Sequence, residues 1–266
     1  MTESHRPPVH SPRNPLVKEF APAQRRKAGL VFAEGERLAR EALRGGWECE
    51  RLLLRTGWEE ESPAAMELHA LAVRRGCPVE RLGAKAMQRL SDCETAPPAG
   101  VLCRPPEALS RLPDPLPRRM LVLDSIQDPG NAGTMVRTAA AFGFHALLAG
   151  DGVRPANEKF VRATAGACFL AGALSCIQDG RGVRDALLAG GSLLYRLEPH
   201  EGERVDRLTL PADGPLAVLA GNETRGPDPA VWGGSIPVRV PMHGEVESLN
   251  VAASAAVVMF LFRRNV

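Results

Sequence analysis

Residues 238–262 read VRVPMHGEVESLNVAASAAVVMFLF and hold the clearest fold signal in the chain. A short strand-like run ends at Pro241, a loop with glycine follows, and an almost entirely apolar stretch closes the segment. A strand, a loop and a buried helix in this order are typical of α/β proteins, in which strands and helices alternate. The segment therefore predicts a last strand over 236–240 and a last helix over about 248–262.

Two further segments end a predicted strand with polar residues or glycine. The stretch DSIQDPGNAGTMVRTAAAFGF, at 124–144, follows a strand that ends at Asp124, and LAVLAGNETRGP, at 216–227, begins with another strand. Because strands alternate with helices throughout residues 119–266, we predict a mostly parallel sheet with helices on both faces. Ligands bind at the carboxyl ends of such strands, so all three segments are candidate site loops.

The chain before residue 106 shows a separate and smaller alternation of strands and helices. It follows a polar, proline-rich stretch and opens with a basic segment, residues 14–27, that predicts one amphipathic helix. Residues 104–119 contain five prolines, which is typical of a boundary between domains. The predicted organisation is a disordered tail over 1–13, a small α/β domain over 14–105, a proline-rich linker over 106–118 and a second domain over 119–266.

The charge distribution and the cysteine spacing exclude several kinds of protein. The net charge is only +2, so affinity for nucleic acid must come from local clusters such as residues 1–27, with six basic and two acidic side chains. The six cysteines form no C-x-x-C pair and no close spacing with histidine, so we expect no metal site. No apolar run is long enough to span a bilayer, and none follows the basic N-terminus, which favours a cytoplasmic protein without a membrane partner.

Single residues of the three loop segments admit a structural interpretation beside a functional one. Asn131 and Ser248 both stand where a helix N-cap is expected. Glu223 follows a buried strand, where a carboxylate is rarely a packing choice, although a tight turn and a cap would also place it there. Arg137 interrupts a helix of small and apolar residues, as an anion binder or as a surface arginine. Gly221 lets the backbone approach a ligand, so a side chain there is expected to enter the ligand's space.

Taken in order, the three segments resemble the three signature motifs of the SpoU/TrmH family of RNA 2′-O-ribose methyltransferases, in the SPOUT superfamily. The motifs are roughly D-x-x-N-x-G followed by R-T, then G-N-E-x-x-G, then P-M-x-G-x-x-E-S-L-N-V. The resemblance covers about Met120 to Phe262. The matching residues are Asp128, Asn131, Gly133, Arg137, Thr138, Gly221, Asn222, Glu223, Gly226, Pro241, Met242, Gly244, Glu247, Ser248, Leu249, Asn250 and Val251.

The resemblance extends in weaker form to the first domain. The stretches SPRNPLVKEF, FAEGERLAREAL and LSDCETAPPAGVL are similar to the small ribosomal-protein-like α/β domain that binds substrate in many family members. A generic α/β domain would carry the same pattern of strands and helices, so that alternative stays open. The resemblance implies a domain that binds RNA.

For the second domain the resemblance implies a SPOUT-type parallel sheet with a deep trefoil knot and a homodimer with its active site near the subunit interface. It implies methyl transfer from S-adenosylmethionine, without a metal, to a ribose 2′-hydroxyl of RNA. Arg137 would bind the phosphate beside the target ribose. The implied catalytic residues are Arg137, Asn131, Glu223, Ser248 and Asn250. The implied cofactor-binding residues are Gly221, Val240, Met242 and Leu249.

The substrate expected from this resemblance is 23S ribosomal RNA, because the additional N-terminal domain resembles those of members that modify ribosomal RNA. Two alternatives stay open, namely a transfer-RNA 2′-O-methyltransferase and a non-catalytic RNA-binding protein of ribosome assembly with the same fold. The intact motif residues argue against the non-catalytic protein. The chain has no G-x-G-x-x-G, P-loop or G-x-S-x-G motif, which argues against other common enzyme classes.

Overall fold

The structure is a computed structural model that describes residues 8–58, 62–209, 214–244 and 247–263. It divides into two compact units, Met1–Pro106 and Glu107–Val266. Each unit has its own sheet and its own buried apolar core. Within the described residues no helix is both long enough and apolar enough to cross a membrane.

The first unit is a mixed four-stranded sheet covered by helices. Its strands are β1 (Val31–Glu34), β2 (Glu48–Arg55), β3 (Val79–Leu82) and β4 (Ala99–Arg104). Its helices are α1 (Pro15–Glu19), α2 (Pro22–Lys27), α3 (Glu36–Arg44), α4 (Pro63–Arg75) and α5 (Ala84–Leu90). The strand order is β1-β4-β2-β3, in which β4 runs antiparallel to β1 and β2, and β3 runs parallel to β2.

The helices of the first unit lie in two layers, one on each face of the sheet, because successive side chains of a strand point to opposite faces. Phe32, Leu53 and Leu102 share one core cluster with apolar residues of α1 and α5. Helices α3 and α4 contact each other and the strands, but contribute nothing to that cluster, which places them on the opposite face.

Two expectations for the start of the chain are corrected by this unit. The single helix predicted over 14–27 is two short helices, because Pro22 begins a new helix and cannot donate a backbone hydrogen bond to the turn before it. Part of the tail predicted as disordered is ordered, since Val9 pairs with Leu82 and extends the sheet beside β3. Residues 1–7 of that tail lie outside the described residues.

The second unit contains a seven-stranded sheet in which every paired strand is parallel. The strands are β5 (Arg119–Asp124), β6 (His145–Ala149), β7 (Leu174–Ile177), β8 (Leu193–Leu197), β9 (Glu203–Arg204), β10 (Leu216–Ala220) and β11 (Ile236–Arg239). The helices are α6 (Pro129–Ala141), α7 (Glu158–Ala163), α8 (Gly180–Ala189), α9 (Pro229–Trp232) and α10 (Val251–Phe262). The mostly parallel α/β sheet predicted from the sequence is confirmed.

The order of the strands positions the site. The sheet runs β7-β6-β5-β10-β8-β11-β9, so the chain builds outward from β5 in one direction and then returns to the other side of β5. Central strands are buried on both faces, by α8 and α9 on one side and by α6 and α10 on the other. A crevice for a ligand is expected where the strand order reverses, at the carboxyl ends of β5 and β10.

Residues 107–118, predicted as a linker, are ordered in the second unit. A short 3₁₀ helix spans Glu107–Ser110, Leu112 packs against the core cluster under α8, and the Ser175 hydroxyl donates a hydrogen bond to the Arg111 carbonyl at 3.0 Å. Apart from this 3₁₀ helix the proline-rich segment has no helix or strand, but Leu112 still gains from burial.

Candidate active site

Four loops at the carboxyl ends of neighbouring strands enclose a cavity of about 490 Å³ in the second unit. The loops follow β5, β8, β10 and β11, which are adjacent in the sheet. Because all four strands run in the same direction, their loops meet at one edge. The cavity is therefore a direct consequence of the parallel sheet.

Eight of the nine site residues predicted from the sequence line this cavity, and Arg137 does not. The eight come from three separate parts of the chain, which the fold brings to one place. They are Asn131, Gly221, Glu223, Val240, Met242, Ser248, Leu249 and Asn250.

A chain of polar contacts joins three of the loops. The Asn250 amide donates to the Asn131 side-chain oxygen at 3.0 Å, and the Asn131 amide donates to Glu223 Oε1 at 3.3 Å. The backbone N–H groups of Gln127 and Asp128 also donate to the Glu223 carboxylate, each at 3.2 Å. Glu223 thus accepts from the loop after β5 while it stands on the loop after β10, and we call this series of contacts the Glu223 clamp.

The clamp also sets the charge state of Glu223. Partial burial raises the pKa of this carboxyl, but backbone N–H groups, including those of Gln127 and Asp128, and the Asn131 amide outweigh burial and lower the pKa below its ordinary value. The group is therefore a carboxylate at neutral pH. A carboxylate whose oxygens accept hydrogen bonds from the protein is suited to organise loops and is a poor general acid.

Replacing Glu223 by Gln is expected to weaken cofactor binding by roughly tenfold, because an NH₂ group would then face backbone N–H donors. Since the folded pKa lies below the ordinary value near 4.5, the stability that the wild-type carboxylate contributes is fully present above that value. It is lost only as pH falls through the lowered pKa. Calorimetric titration with S-adenosylmethionine checks the affinity, and melting temperatures recorded from pH 8 to pH 4 check the stability. The control is Glu201→Gln, at an exposed site outside the cavity.

A wild-type affinity that is already lost between pH 7 and pH 6 would contradict this account of Glu223. So would an unchanged affinity of the Gln variant. The control variant is expected to match the wild type at every pH.

The N-caps of α6 and α10 are not Asn131 and Ser248, the two residues that the sequence suggested as caps. Asp128 is the N-cap of α6 and accepts from the Asn131 N–H at 2.7 Å, so Asn131 is not a cap and its amide is available to the clamp. Asn250 is the N-cap of α10 and accepts from the N–H groups of Ala252 and Ala253. Helix α10 therefore begins three residues after the predicted start, and Ser248 is an exposed residue of the cavity wall.

The structure gives a second reason for a glycine at position 221. A Cβ atom at this position would lie 2.0 Å from Pro227 N and 2.3 Å from the Gly226 carbonyl carbon. The added group would first meet the protein's own backbone. That a larger side chain here would enter the space of a ligand stays a prediction. The glycine lets the loop after β10 fold back on itself within the wall of the cavity.

Four residues whose contacts hold this loop were not among the predicted site residues. The Asn222 amide donates to the Ser125 carbonyl at 3.1 Å, and the Asp228 N–H donates to the buried Asp124 carboxylate at 2.9 Å. Ser125 has a positive φ of 56°, which is uncommon outside glycine and indicates local strain. The sequence signal for Asp124 is its place at the end of an apolar strand, whereas nothing in the sequence indicates the strain at Ser125.

Arg137 lies apart from the cavity on α6. It follows Asn131 by six residues, which is about 9 Å along a helix axis. Its side chain is exposed and has no hydrogen-bond or ion-pair partner in the described part of the chain. Arg137 is therefore a surface arginine in this structure. Its exposed guanidinium is also accessible to a large ligand that binds outside the cavity.

The described residues contain no group of three or more His, Cys, Asp or Glu side chains placed to hold a metal ion. The cavity walls combine apolar side chains, such as those of Leu197, Val238 and Leu249, with amide, hydroxyl and carboxylate groups. Its volume lies within the range of about 300–1,000 Å³ typical of small-molecule sites.

Two family models match the chain. The SpoU rRNA Methylase family matches residues 118–260, and the MRM3-like substrate binding domain matches residues 14–102. The first match includes every predicted site residue.

Named relatives and solved structures agree with these matches. The chain is 30% identical over 261 residues to the 23S rRNA (guanosine(2553)-2′-O)-methyltransferase RlmP of Bacillus subtilis, covering 96% of this chain and 98% of that protein. It is 29% identical over 246 residues to the 23S rRNA (uridine(2479)-2′-O)-methyltransferase of Streptomyces viridochromogenes, covering 89% and 83%. The crystal structure of an AdoMet-bound rRNA methyltransferase from Sinorhizobium meliloti superposes with a TM-score of 0.80, at 25% identity and 96% coverage of both chains. This chain belongs to the SpoU rRNA methylase family.

Proposed function

We propose that this protein transfers the methyl group of S-adenosylmethionine to a ribose 2′-hydroxyl of 23S ribosomal RNA. The observation that carries the proposal is the cavity at the carboxyl ends of β5, β8, β10 and β11, lined by residues of all three motifs. Two relatives that match most of the chain are named 23S rRNA 2′-O-methyltransferases. The reaction would take place in the cytoplasm, where ribosomes are assembled.

The cavity residues fit S-adenosylmethionine. Apolar side chains such as Val240, Met242 and Leu249 suit a flat purine base, and the polar groups of Ser248 and the loop at Gly221 suit a ribose and a charged amino-acid tail. The AdoMet-bound relative from Sinorhizobium meliloti has the same fold over nearly the whole chain. When bound, the cofactor supplies a methyl group on a sulfonium, which is a good leaving group, so no metal is needed.

The protein's own task is to place the ribose hydroxyl in line with that methyl group and to let its proton leave. The Glu223 clamp holds the loops that would align the two reactants. Arg137 binds the phosphate beside the target ribose with its planar guanidinium. An arginine is protonated at all physiological pH values, so we assign it a positioning and electrostatic role, with a phosphate oxygen as the candidate proton acceptor.

We further propose that the second unit forms a homodimer through α10. Val257, Phe260 and Leu261 lie three and four residues apart on this helix and are 40%, 47% and 44% exposed. Exposed apolar stripes of this kind mark contacts between proteins. A molar mass of twice the chain mass in light scattering supports a dimer, and a monomer at micromolar concentration contradicts it. The trefoil knot stays a prediction from the family resemblance.

The proposed function is tested with purified protein and with cells. Calorimetry in the presence of a metal chelator is expected to show binding of S-adenosylmethionine or its demethylated product. Mapping of 2′-O-methyl sites in total RNA from cells with and without the gene is expected to show one site in 23S RNA that depends on the gene. Loss of a site in transfer RNA instead would favour the transfer-RNA alternative.

A folded protein that binds no cofactor and leaves every 2′-O-methyl site unchanged would overturn the proposal. That result would favour the non-catalytic RNA-binding protein, whose fold is the same. Binding of RNA alone does not distinguish the two functions, so the cofactor titration is the deciding measurement.

A further inference from the structure

Helices α1, α2 and α5 form one layer over the sheet of the first unit. Val17, Met87 and Leu90 of this layer pack into one core cluster with the strands, and α1 contacts both α2 and α5. Arg25 of α2 is fully buried against the same layer, where its guanidinium donates to the Leu90 carbonyl and approaches the Phe32 ring. The three helices therefore present a single outer surface, which we call the α1-α2-α5 face.

The charges on these three helices are strongly biased. They carry six basic residues and a single acidic one, Glu19. The basic residues are Lys18, Arg25, Arg26, Lys27, Lys85 and Arg89.

Four of these basic residues are exposed and form no ion pair with any other described residue. Arg25 and Arg26 both contact Asp92, at 3.3 Å and 2.5 Å, and so hold the loop after α5. The four that remain have no ion-pair partner in the part of the chain that the structure describes. They are Lys18, Lys27, Lys85 and Arg89.

The opposite layer, α3 and α4, provides an internal comparison. It carries five basic residues and three acidic ones. Arg40 and Arg44 both bind Glu67, at 3.0 Å and 2.8 Å, and Arg75 donates to backbone carbonyls of the segment after α3. This layer therefore has an excess of two basic residues over acidic ones, against an excess of five on the α1-α2-α5 face.

Ordinary solvated surfaces mix both signs of charge, whereas this face holds almost only cations. Repulsion among like charges costs stability unless an anionic partner offsets it. Lys85 and Arg89 lie four residues apart and so project from the same side of α5, about 6 Å from each other. A row of cations on a rigid helical layer suits a polyanion, whose charges repeat at short intervals.

We propose that the α1-α2-α5 face is the surface on which the RNA substrate docks, through its phosphate backbone and without reading its bases. The proposal rests on the proposed function and adds which face of the first unit meets RNA. Phosphate contacts of this kind position a nucleic acid and give its binding a steep salt dependence. Sequence selection would then come from the second unit and from RNA shape.

The test compares two double variants of the full-length protein that remove equal charge from opposite layers. One is Lys85→Gln with Arg89→Gln, on the proposed face. The other is Arg37→Gln with Arg74→Gln, at exposed cations of α3 and α4 that also have no ion-pair partner among the described residues. Affinity for a 23S ribosomal RNA transcript is measured by filter binding from 50 to 200 mM salt, with the thermal stability of each protein recorded.

The α5 variant is expected to lose affinity by about tenfold or more near 0.1 M salt, and the slope of log affinity against log salt should fall by about two. The α3-α4 variant is expected to match the wild type. Equal losses in both variants, or a loss confined to the α3-α4 variant, would overturn the proposal. RNA binding is measured without cofactor, so it does not depend on methylation. A failure of methylation would contradict the proposed function, and the RNA affinities of the two variants could still be compared.

Discussion

Replacing Arg137 by Ala is expected to lower the single-turnover rate of RNA methylation by at least about a hundredfold, because a preorganised charge at the phosphate beside the target ribose is lost. Lys is expected to restore little of this rate, since an ammonium lacks the planar fork that binds two phosphate oxygens. Cofactor affinity should remain at the wild-type value, because Arg137 does not line the cavity. The decisive comparison is between methylation rate and melting temperature for both variants.

Because Arg137 is exposed, this comparison separates a loss of rate from a loss of stability. Substitutions at such surface sites usually change stability by less than about 0.5 kcal/mol, so a large loss of rate cannot arise from unfolding. Arg181 of α8 is another exposed arginine with no partner among the described residues, and Arg181→Ala should leave the rate unchanged. A fully active Arg137→Ala protein would show that the first motif has been misassigned.

Replacing Gly221 by Ala is expected to abolish most methyl transfer through displacement of the cavity wall. The new Cβ would lie 2.0 Å from Pro227 N, so the 226–227 backbone must move by about 1 Å, and misplacement on that scale costs on the order of a hundredfold in rate. Binding of S-adenosylmethionine should weaken in parallel, since Gly226 and Pro227 line the cavity. Calorimetry and single-turnover methylation measure the two effects.

Gly46 provides the matched control, because a Cβ there would meet nothing within 4 Å and its φ is ordinary. Gly46→Ala should preserve cofactor binding and activity. If Gly221→Ala also bound the cofactor normally, the loop after β10 would be able to move and make room for the methyl group. The close approach at this position would then not matter for cofactor binding.

The fold of the second unit could be predicted because its strands and helices alternate with clear periodicity. The short strand β7 (Leu174–Ile177, sequence LSCI) was not predicted, because Ser175 and Cys176 interrupt its apolar run. Pro22 is a clear signal that residues 14–27 cannot form one helix. The pairing of Val9 with Leu82 depends on a partner more than seventy residues away, so no local pattern could indicate it.

For the site, the family resemblance indicated which residues belong together but not how they interact. It placed Asn131, Glu223 and Asn250 in one site, and the structure brings all three to the cavity. The partner of each donor and the identity of each cap depend on backbone geometry that the sequence does not carry. The close approach behind Gly221 likewise depends on where the fold places Pro227, which no local sequence pattern indicates.

The Glu223 clamp ties ligand binding to the completion of folding. Its contacts join residues 92 and 119 positions apart in the chain, so the cavity exists only after the whole second unit has assembled. Contacts of such long range form slowly. A cofactor that binds only the assembled state raises the free energy of unfolding by about 2.7 kcal/mol at a hundred times its Kd. The supply of S-adenosylmethionine in the cell would thereby raise the fraction of the enzyme that is folded as well as its rate.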